Sequence, residues 1–323
     1  MQHLFRIVLT MALSCGGPAA HADTYPSKPV TLIVPQTVGG TNDIVARVLA
    51  PRLAEAIGGS VIVENRPGAG GNVGTQAAAQ AAKDGHTLLL TISSSQAINP
   101  ALYKSPGFDP VQDFTPLALV GAVPNVLVVN PGFPARNLDE FLEVVKAARP
   151  GAYQFASAGN GSLNHLLGEM LNSIAGVEIQ HIPYKGIAPA LTDVIGGQVP
   201  MAFASLPSVL GQLKSGRLLA LGVSSPQRSP MLPGVPAIGE KLPGYSGMLW
   251  VGLFAPRGVA VEVERKLQDA MARVLVDGQT RTALSAQGVE LAADTTPRQL
   301  AAVLQEDVSR WARIVKLYGA RID

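Results

Sequence analysis

The chain has 323 residues, of which 47% are hydrophobic and only 15% charged, so it can bury a large core. Its 25 basic and 23 acidic residues are scattered and give a formal net charge of +2, which offers no basic stripe for nucleic acid. Aromatic residues make up 5% of the chain, and this low share also argues against platforms for base stacking. The length exceeds that of a usual single domain and predicts two α/β lobes.

The first 22 residues have the pattern of a secretory signal peptide. Arg6 supplies a positive charge, residues 7–14 form an apolar stretch too short to span a bilayer, and an A-x-A cleavage site ends at Ala22. We therefore expect an exported, periplasmic protein. Cys15, the only cysteine, lies in this segment, so the mature chain would hold no thiol and no disulfide. Acylation of Cys15, as in a lipoprotein, is the alternative, although the residues before it fit the usual lipobox poorly.

Residues 30–57 predict a buried strand, a glycine-rich turn and a helix. The strand Val30–Val34 is rich in β-branched residues, and Gly39 and Gly40 permit a close backbone approach in the turn. Thr41 or Asn42 is predicted as the N-cap, with Asp43 in the first helical turn. Free N–H groups at such a helix N-terminus attract an anion. A tight turn without any ligand would explain the same glycines.

Strand and helix patterns continue to alternate, which predicts a mostly parallel sheet with crossover helices. Strands are expected at 61–64 and 87–92, with a small-residue helix at 72–82 between them. The third strand leads into a predicted loop rich in hydroxyl groups: Ser93, Ser94, Ser95 and Gln96. Ligands in open α/β sheets bind beyond the carboxyl ends of the strands, so this loop should face the same crevice as the Gly39 turn.

A second strand, glycine-rich turn and helix occupy residues 153–171. Gly159, Asn160, Gly161 and Ser162 would present further N–H and hydroxyl donors, and His165 follows one turn into the helix. Two such turns in one chain suggest two halves of one site.

The remaining elements suggest how the chain divides. The second lobe is predicted to start at Asn125 with a strand and a helix at 138–148, and to continue through a helix at 188–195 and strands near 201 and 220. A proline-rich stretch then leads to a strand near Trp250 and to helices near 260–276, 279–287 and 297–318, which should pack back onto the first lobe. The last helix carries a predicted core stripe of Leu300, Leu304, Trp311, Val315 and Tyr318. The predicted division is 1–22 as signal peptide, 23–124 plus 225–323 as lobe 1, and 125–224 as lobe 2.

Enzyme motifs are weak in this sequence. Gly68, Gly70 and Gly74 have the spacing G-x-G-x-x-x-G, which misses the dinucleotide fingerprint, so a loop that packs the lobes explains them better. There is no G-x-S-x-G elbow and no H-E-x-x-H pair. After the leader only three histidines remain, and of these we expect His181 to be structural and His165 to lie near the cleft. We therefore expect no catalytic residue, no metal site and no cofactor.

A series of segments occurs in one order from about Tyr25 to Gly319: YPSKPVTLIVP, VIVENRPGAGGNVG, DGHTLLL, INPALY, DFTPLALV, FASAGNGS, PYKG and ALTDVIGGQV. Together they resemble the Bug-type substrate-binding proteins of tripartite tricarboxylate transporters. The resemblance implies a two-lobed, Venus-flytrap α/β fold of the periplasmic-binding-protein type, with a ligand cleft between the lobes. It also implies a small carboxylate ligand, held largely by backbone N–H groups and ordered water, and delivery to the membrane subunits of a transporter.

The resemblance assigns the ligand to three loops and to a few neighbouring residues. The implied ligand-binding residues are Gln36, Thr37, Val38, Gly39, Gly40, Asn42, Asp43, Ser93, Ser94, Ser95, Gln96, Ala158, Gly159, Asn160, Gly161, Ser162, His165, Lys185, Ala204 and Ser205. For Lys185 itself, a solvated surface role is the better explanation, and a cation that points at the far end of the ligand is the alternative.

Two positions depart from the family's usual pattern. Gln36-Thr37-Val38 replaces Phe-Pro-Ala in the first loop, and Ala204-Ser205 follows Phe203 where Asp-Asn is usual. Without that carboxylate the cleft lacks a partner for an ammonium group. We therefore expect di- or tricarboxylates or aromatic acids to be preferred over amino acids.

Two classes of function remain from the sequence. One is a non-catalytic solute receptor, expected to be a monomer without nucleic-acid partners, which could serve a transporter or a sensor. The other is a secreted α/β hydrolase or transferase that uses the same cleft.

Overall fold

The computed structural model describes residues 25–318, so the predicted signal peptide and its cleavage site lie outside the described residues. The strands are β1 (Val30–Val34), β2 (Val61–Asn65), β3 (Thr87–Ile92), β4 (Phe114–Val129), β5 (Gln154–Ser157), β6 (Gln180–Pro183), β7 (Met201–Ser205), β8 (Leu219–Val223), β9 (Met248–Pro256) and β10 (Glu290–Leu291). The α-helices are α1 (Thr41–Ile57), α2 (Asn72–Ala79), α3 (Asn99–Leu102), α4 (Leu138–Ala147), α5 (Leu163–Ala175), α6 (Ile187–Ile195), α7 (Leu206–Lys214), α8 (Val261–Val276), α9 (Gly278–Ala286) and α10 (Pro297–Tyr318).

The strands form a mixed sheet in the order β2-β1-β3-β9-β4-β7-β5-β6, with β8 and β10 also paired to β4. Pairings within the groups β1-β2-β3 and β5-β6-β7 are parallel, as expected for βαβ units. All pairings that involve β4 or β9 are antiparallel. The prediction of a mostly parallel sheet is therefore wrong. The strand β9 runs antiparallel to β3, β4 runs antiparallel to β7 and β8, and these two long strands are antiparallel to each other.

The strand β4 connects the two lobes. Its residues 114–124 pair with β9, and its residues 125–129 pair with β7 and β8. The first lobe is thus built around β1, β2, β3 and β9, and the second around β5, β6, β7 and β8. The predicted boundary at Asn125 falls inside β4, where its pairing changes, and the division by residue number stays a prediction.

Three local predictions differ from the structure. The N-cap of α1 is Gly40 rather than Thr41 or Asn42, and glycine has no side chain with which to cap the helix. The helix expected at 72–82 ends at Ala79. Of residues 93–96, predicted as a loop, residues 94–96 belong instead to a π-helix, Ser94–Ile98, with Ser93 as its N-cap, and this helix continues into α3. Its Ala97 and Ile98 are fully buried, so packing favours helix where the polar residues suggested a loop.

The core residues follow the predicted patterns. In α10, Leu300, Leu304, Trp311 and Val315 are buried, which confirms the predicted stripe at these four positions. Tyr318 belongs to the same prediction, but its side chain lies outside what the structure describes. Within residues 25–318, no helix combines the length and apolarity needed to cross a bilayer.

Candidate functional site

A cavity of about 470 Å³ lies between the lobes, and we call it the cleft cavity. The first lobe contributes Gln36, Thr37, the segment 67–71 and Tyr103 to its walls. The second lobe contributes residues 158–160 and 184–186. Among the described residues that line it, Lys185 is the only one with a charged side chain.

A smaller cavity of about 40 Å³ adjoins the cleft cavity and shares Gln36, Thr37, Gly70 and Ala158 with it. We call it the inner cavity. Its remaining polar side chains belong to Thr41, Ser94, Ser162, Asn164 and Ser205. It has no charged lining residue among those described, so its chemistry is that of neutral hydrogen bonds.

The N-terminus of α1 points its first N–H groups toward this region, but a carboxylate of the chain already occupies part of it. The Gly39 N–H donates to Asp43 Oδ2 at 2.9 Å, and Arg47 contacts both carboxylate oxygens of Asp43. Burial alone would raise the pKa of Asp43, but the hydrogen bonds and charge of Arg47, with those from Gly39 and Asn65, outweigh it and lower this pKa. Among residues 25–318, the backbone N–H groups of Thr41 and Asn42 donate to no protein acceptor. These two groups remain available at the helix N-terminus.

The segment 67–71 is held in the cavity wall by polar side chains, among them Asn99, whose Nδ2 donates to the Gly70 carbonyl at 3.1 Å. Ser95 Oγ donates to the Gly70 carbonyl at 3.0 Å, and Gln36 Nε2 donates to Ser95 Oγ at 2.9 Å. A Cβ on Gly71 would collide with Ser95 Oγ, so glycine is required there. Gln36, which stands where the resemblance implies Phe, therefore helps to fix a glycine-rich wall.

Two neighbours of Ser95 have different surroundings. Ser94 Oγ accepts a hydrogen bond from the Leu163 N–H at 3.1 Å and so links the π-helix to the start of α5. Gln96 donates to the Pro110 carbonyl and lines neither cavity.

The turn before α5 is held by its own side chains. Ser162 caps the helix by accepting from the His165 N–H, and its hydroxyl donates to the Gly159 carbonyl at 2.7 Å. Gly159 has φ +121°, and a Cβ there would lie 2.9 Å from the Tyr184 carbonyl oxygen. Asn160 is exposed at the tip of the turn, where it lines the cleft cavity.

A third helix N-terminus, that of α6, also lies at the cleft cavity. Gly186 is its N-cap and provides no side-chain cap. Lys185 is exposed, and within residues 25–318 it forms no ion pair. The Tyr184 hydroxyl donates to Asp193 Oδ2 at 2.6 Å. Burial and this carboxylate raise the pKa of Tyr184 to about 12, so the hydroxyl stays protonated at neutral pH.

The structure places the sequence-predicted residues in three groups. Those that line the cleft cavity are Gln36, Thr37, Ala158, Gly159, Asn160 and Lys185. Gly40, Ser94, Ser162 and Ser205 line the inner cavity. Those that line neither are Val38, Gly39, Asn42, Asp43, Ser93, Ser95, Gln96, Gly161, His165 and Ala204.

Other lining residues were not predicted as ligand-binding, above all residues 67–71, Tyr103, Tyr184 and Gly186. Two sequence signals could have pointed to them. The glycine cluster at 68–71 and the segment PYKG both belong to the segments that carry the family resemblance.

Comparisons with known proteins show which family the chain belongs to. Residues 45–320 match the family described as tripartite tricarboxylate transporter family receptor. Protein BugT of Bordetella pertussis is 38% identical over 319 residues, which cover 98% of this chain and 97% of that protein. The chain therefore belongs to the tripartite tricarboxylate transporter receptor family, whose members are periplasmic solute-binding proteins with a two-lobed fold.

Solved structures support the same family assignment and the same fold. The structure of the periplasmic binding protein BugD is 36% identical, with a TM-score of 0.87 over 92% of this chain and 99% of that one. Rpa4515 of R. palustris, solved with adipate, is 33% identical with a TM-score of 0.88, covering 92% and 100% of the two chains. MatC from Rhodopseudomonas palustris, solved with bound malate, is 33% identical with a TM-score of 0.83, covering 90% and 100%. These relatives are substrate-binding proteins, so the chain is a solute-binding receptor rather than an enzyme.

Proposed function

We propose that this protein binds a small di- or tricarboxylate, or an aromatic acid, in the cleft cavity and delivers it to the membrane subunits of a tripartite transporter. The observation that carries the proposal is the charge of the cavity wall. Lys185 provides a cation, the N-termini of α5 and α6 contribute their positive dipole ends, and no acidic side chain is among the described lining residues.

Such a site can bind a carboxylate with micromolar affinity even without an arginine side chain that pairs with it. Hydrogen bonds to charged groups contribute about 1.5–3 kcal/mol each. Four or five of them, less the costs of ordering and closure, reach the ~8 kcal/mol of micromolar binding. Closure excludes water from the ligand and strengthens each of these contacts.

The wall also argues against amino-acid ligands. Ala204 is buried in the core of the second lobe, and Ser205 offers only a hydroxyl to the inner cavity. An ammonium group would therefore lose its water shell without gaining a carboxylate partner. The adipate and malate found in two relatives carry no ammonium group.

Export of the protein is part of the same proposal. The A-x-A site at the end of the leader predicts cleavage after Ala22, so the mature chain would start at Asp23. Intact mass measurement of protein from the periplasmic fraction tests this start. A mass that corresponds to a chain starting at lipid-modified Cys15 would contradict it.

Thermal unfolding of residues 23–323, refolded from denaturant to remove any bound ligand, tests the ligand class. We expect stabilisation by adipate or malate, by about 2.7 kcal/mol at one hundred times the dissociation constant. Adipamide, the uncharged analogue of adipate, is the matched control and should give no shift. A panel of carboxylates without any effect would overturn the carboxylate proposal. Stronger stabilisation by aspartate than by malate would overturn the proposed discrimination against amino acids.

A further inference from the structure

Two histidines lie behind the turn at 158–162, and neither lines the cleft cavity or the inner cavity. The ring of His165, on α5, stacks on that of His181, on β6, with centroids 4.1 Å apart and an interplanar angle of 25°. Phe155 of β5 stacks on the other side of His181, with centroids 5.0 Å apart. The pair is thus packed between the helix and the sheet of the second lobe.

Each histidine contacts the backbone of the turn, directly or through one side chain. His165 Nδ1 accepts a hydrogen bond from the Gly161 N–H at 3.2 Å. His181 Nε2 lies 2.6 Å from Ser157 Oγ, which itself accepts from the Gly159 N–H at 3.0 Å. The two glycines flank Asn160, the exposed tip of the turn.

We propose that His165 and His181, as neutral imidazoles, are positioning residues that hold Gly159 and Gly161 so that Asn160 faces the cleft cavity in its ligand-binding conformation. The inference rests on the proposed function, since it concerns the turn that would grip the carboxylate.

The chemistry of the contacts requires the neutral form of His165. Nδ1 can accept the Gly161 N–H only while it carries no proton, so its own proton must sit on Nε2. A second proton would turn Nδ1 into a donor that faces another donor. It would also place a cation against the ring of His181.

Few charged groups of the described residues lie near His165 and His181. The carboxylate of Glu169, one turn further along α5, lies 3.8 Å from His165 Nε2, and the side chain of Glu169 is half exposed. The neighbours on the sheet side are Ser157, Phe155 and His181, none of which is acidic. Burial accordingly lowers the pKa of His165 to about 4, and burial with the neighbouring His165 lowers that of His181 to about 3.

Two substitutions of His165 test its role as a hydrogen-bond acceptor separately from the packing of its ring. His165→Phe keeps an aromatic ring on His181 but leaves the buried Gly161 N–H without a partner, whereas His165→Asn places an amide oxygen near the position of Nδ1. With adipate as the probe in calorimetry at pH 7, we expect His165→Phe to bind at least tenfold more weakly than the native protein. His165→Asn should recover most of this loss. Equal affinity of His165→Phe and the native protein, or equal losses in both variants, would overturn the proposal.

A second measurement needs no ligand. In NMR of the mature chain, the His165 ring and the Gly161 amide should titrate together with a midpoint near 4. Gly161 amide exchange should be faster in His165→Phe than in His165→Asn. Titration of the His165 ring without any response of the Gly161 amide would overturn the inference. If native protein binds no carboxylate, the proposed function fails, but the amide measurements still decide this inference.

Discussion

The Thr41 hydroxyl of the first lobe donates a hydrogen bond to the Ser205 hydroxyl of the second lobe at 2.5 Å. Ser208 Oγ, which contacts Ser205 Oγ at 2.9 Å, also reaches the Gly39 carbonyl at 3.5 Å. Together with the bond from Leu163 N–H to Ser94, these contacts cross from one lobe to the other beside the inner cavity. The structure is therefore a closed form, and these hydroxyls stabilise it directly.

Replacement of Thr41 by valine should weaken ligand binding. The valine cannot donate to Ser205, which keeps its contact with Ser208 and is not left without a partner. A net hydrogen-bond contribution of about 0.5–1.5 kcal/mol corresponds to an affinity roughly 2–12-fold lower. Calorimetry with adipate measures this loss of affinity. Thr282→Val is the control, because Thr282 is exposed and its hydroxyl donates to the Gly278 carbonyl within α9, so this change should leave affinity unchanged. An unchanged affinity of Thr41→Val would contradict a role for this contact in closure.

Replacement of Gly186 by alanine should hinder closure. Gly186 has φ +118°, and a Cβ there would lie 2.6 Å from Thr37 Oγ1 on the opposite lobe. The backbone strain costs about 1–3 kcal/mol, and the clash with Thr37 acts only when the lobes meet. We expect at least tenfold weaker binding of adipate and a larger radius of gyration in solution scattering with ligand present.

Gly216→Ala separates these two effects. Gly216 also has a positive φ, +68°, but a Cβ there would meet no atom within 4 Å. This variant should lose some thermal stability while it keeps its affinity for adipate. Equal losses of affinity in both alanine variants would show that strain, not contact between the lobes, is responsible.

The sequence predicted local structure well and contacts between distant residues poorly. The strand–turn–helix units that place Thr37 and Asn160 at the cleft cavity follow from glycines and from buried residues at regular spacing. The wall at 67–71 depends on Ser95, which contacts both Gln36 and Gly70. Both of these residues are distant from Ser95 in sequence. No local pattern predicts such contacts, because they depend on how the βαβ units pack against each other.

The same limit explains the predictions for the histidines. The turn at 159–162 could be recognised as a helix start, but the sequence does not show that His165 turns away from the cleft and stacks on His181. His181 was expected to be structural, and it packs between Phe155 and His165. The antiparallel course of β9 was also missed, since its run of buried residues fits a strand of either direction.

Replacement of Lys185 by methionine should lower the affinity for ligands with two carboxylates. Lys185 is the cation at the cavity wall, but it is exposed, so solvent screens its charge. We expect a loss of about 2–5-fold for adipate, and a smaller one for hexanoate, which has the same chain length but one carboxylate. Lys146→Met, on α4 and away from both cavities, is the control. Equal losses for adipate and hexanoate would mean that Lys185 does not meet the second carboxylate.

Replacement of Asp43 by asparagine should destabilise the protein in a pH-dependent way. Asp43 is buried and bonded to Arg47 and to the Gly39 N–H, and its pKa is lowered in the folded state. A carboxyl group with a lowered folded-state pKa contributes stability above its unfolded value of 3.8, and this contribution is lost as the pH falls through the folded value. Loss of the charge-assisted bonds should cost about 1–3 kcal/mol at pH 7.

Urea unfolding of native protein and Asp43→Asn at pH 7 and pH 3 measures this difference, and it should shrink at the lower pH. The exposed Asp139, whose carboxylate contacts Lys241 at 3.0 Å, provides the control. Asp139→Asn should cost less than about 0.5 kcal/mol at either pH, because exposed ion pairs contribute little. If the Asp43→Asn penalty were the same at both pH values, the charge of Asp43 could not be what stabilises the turn before α1.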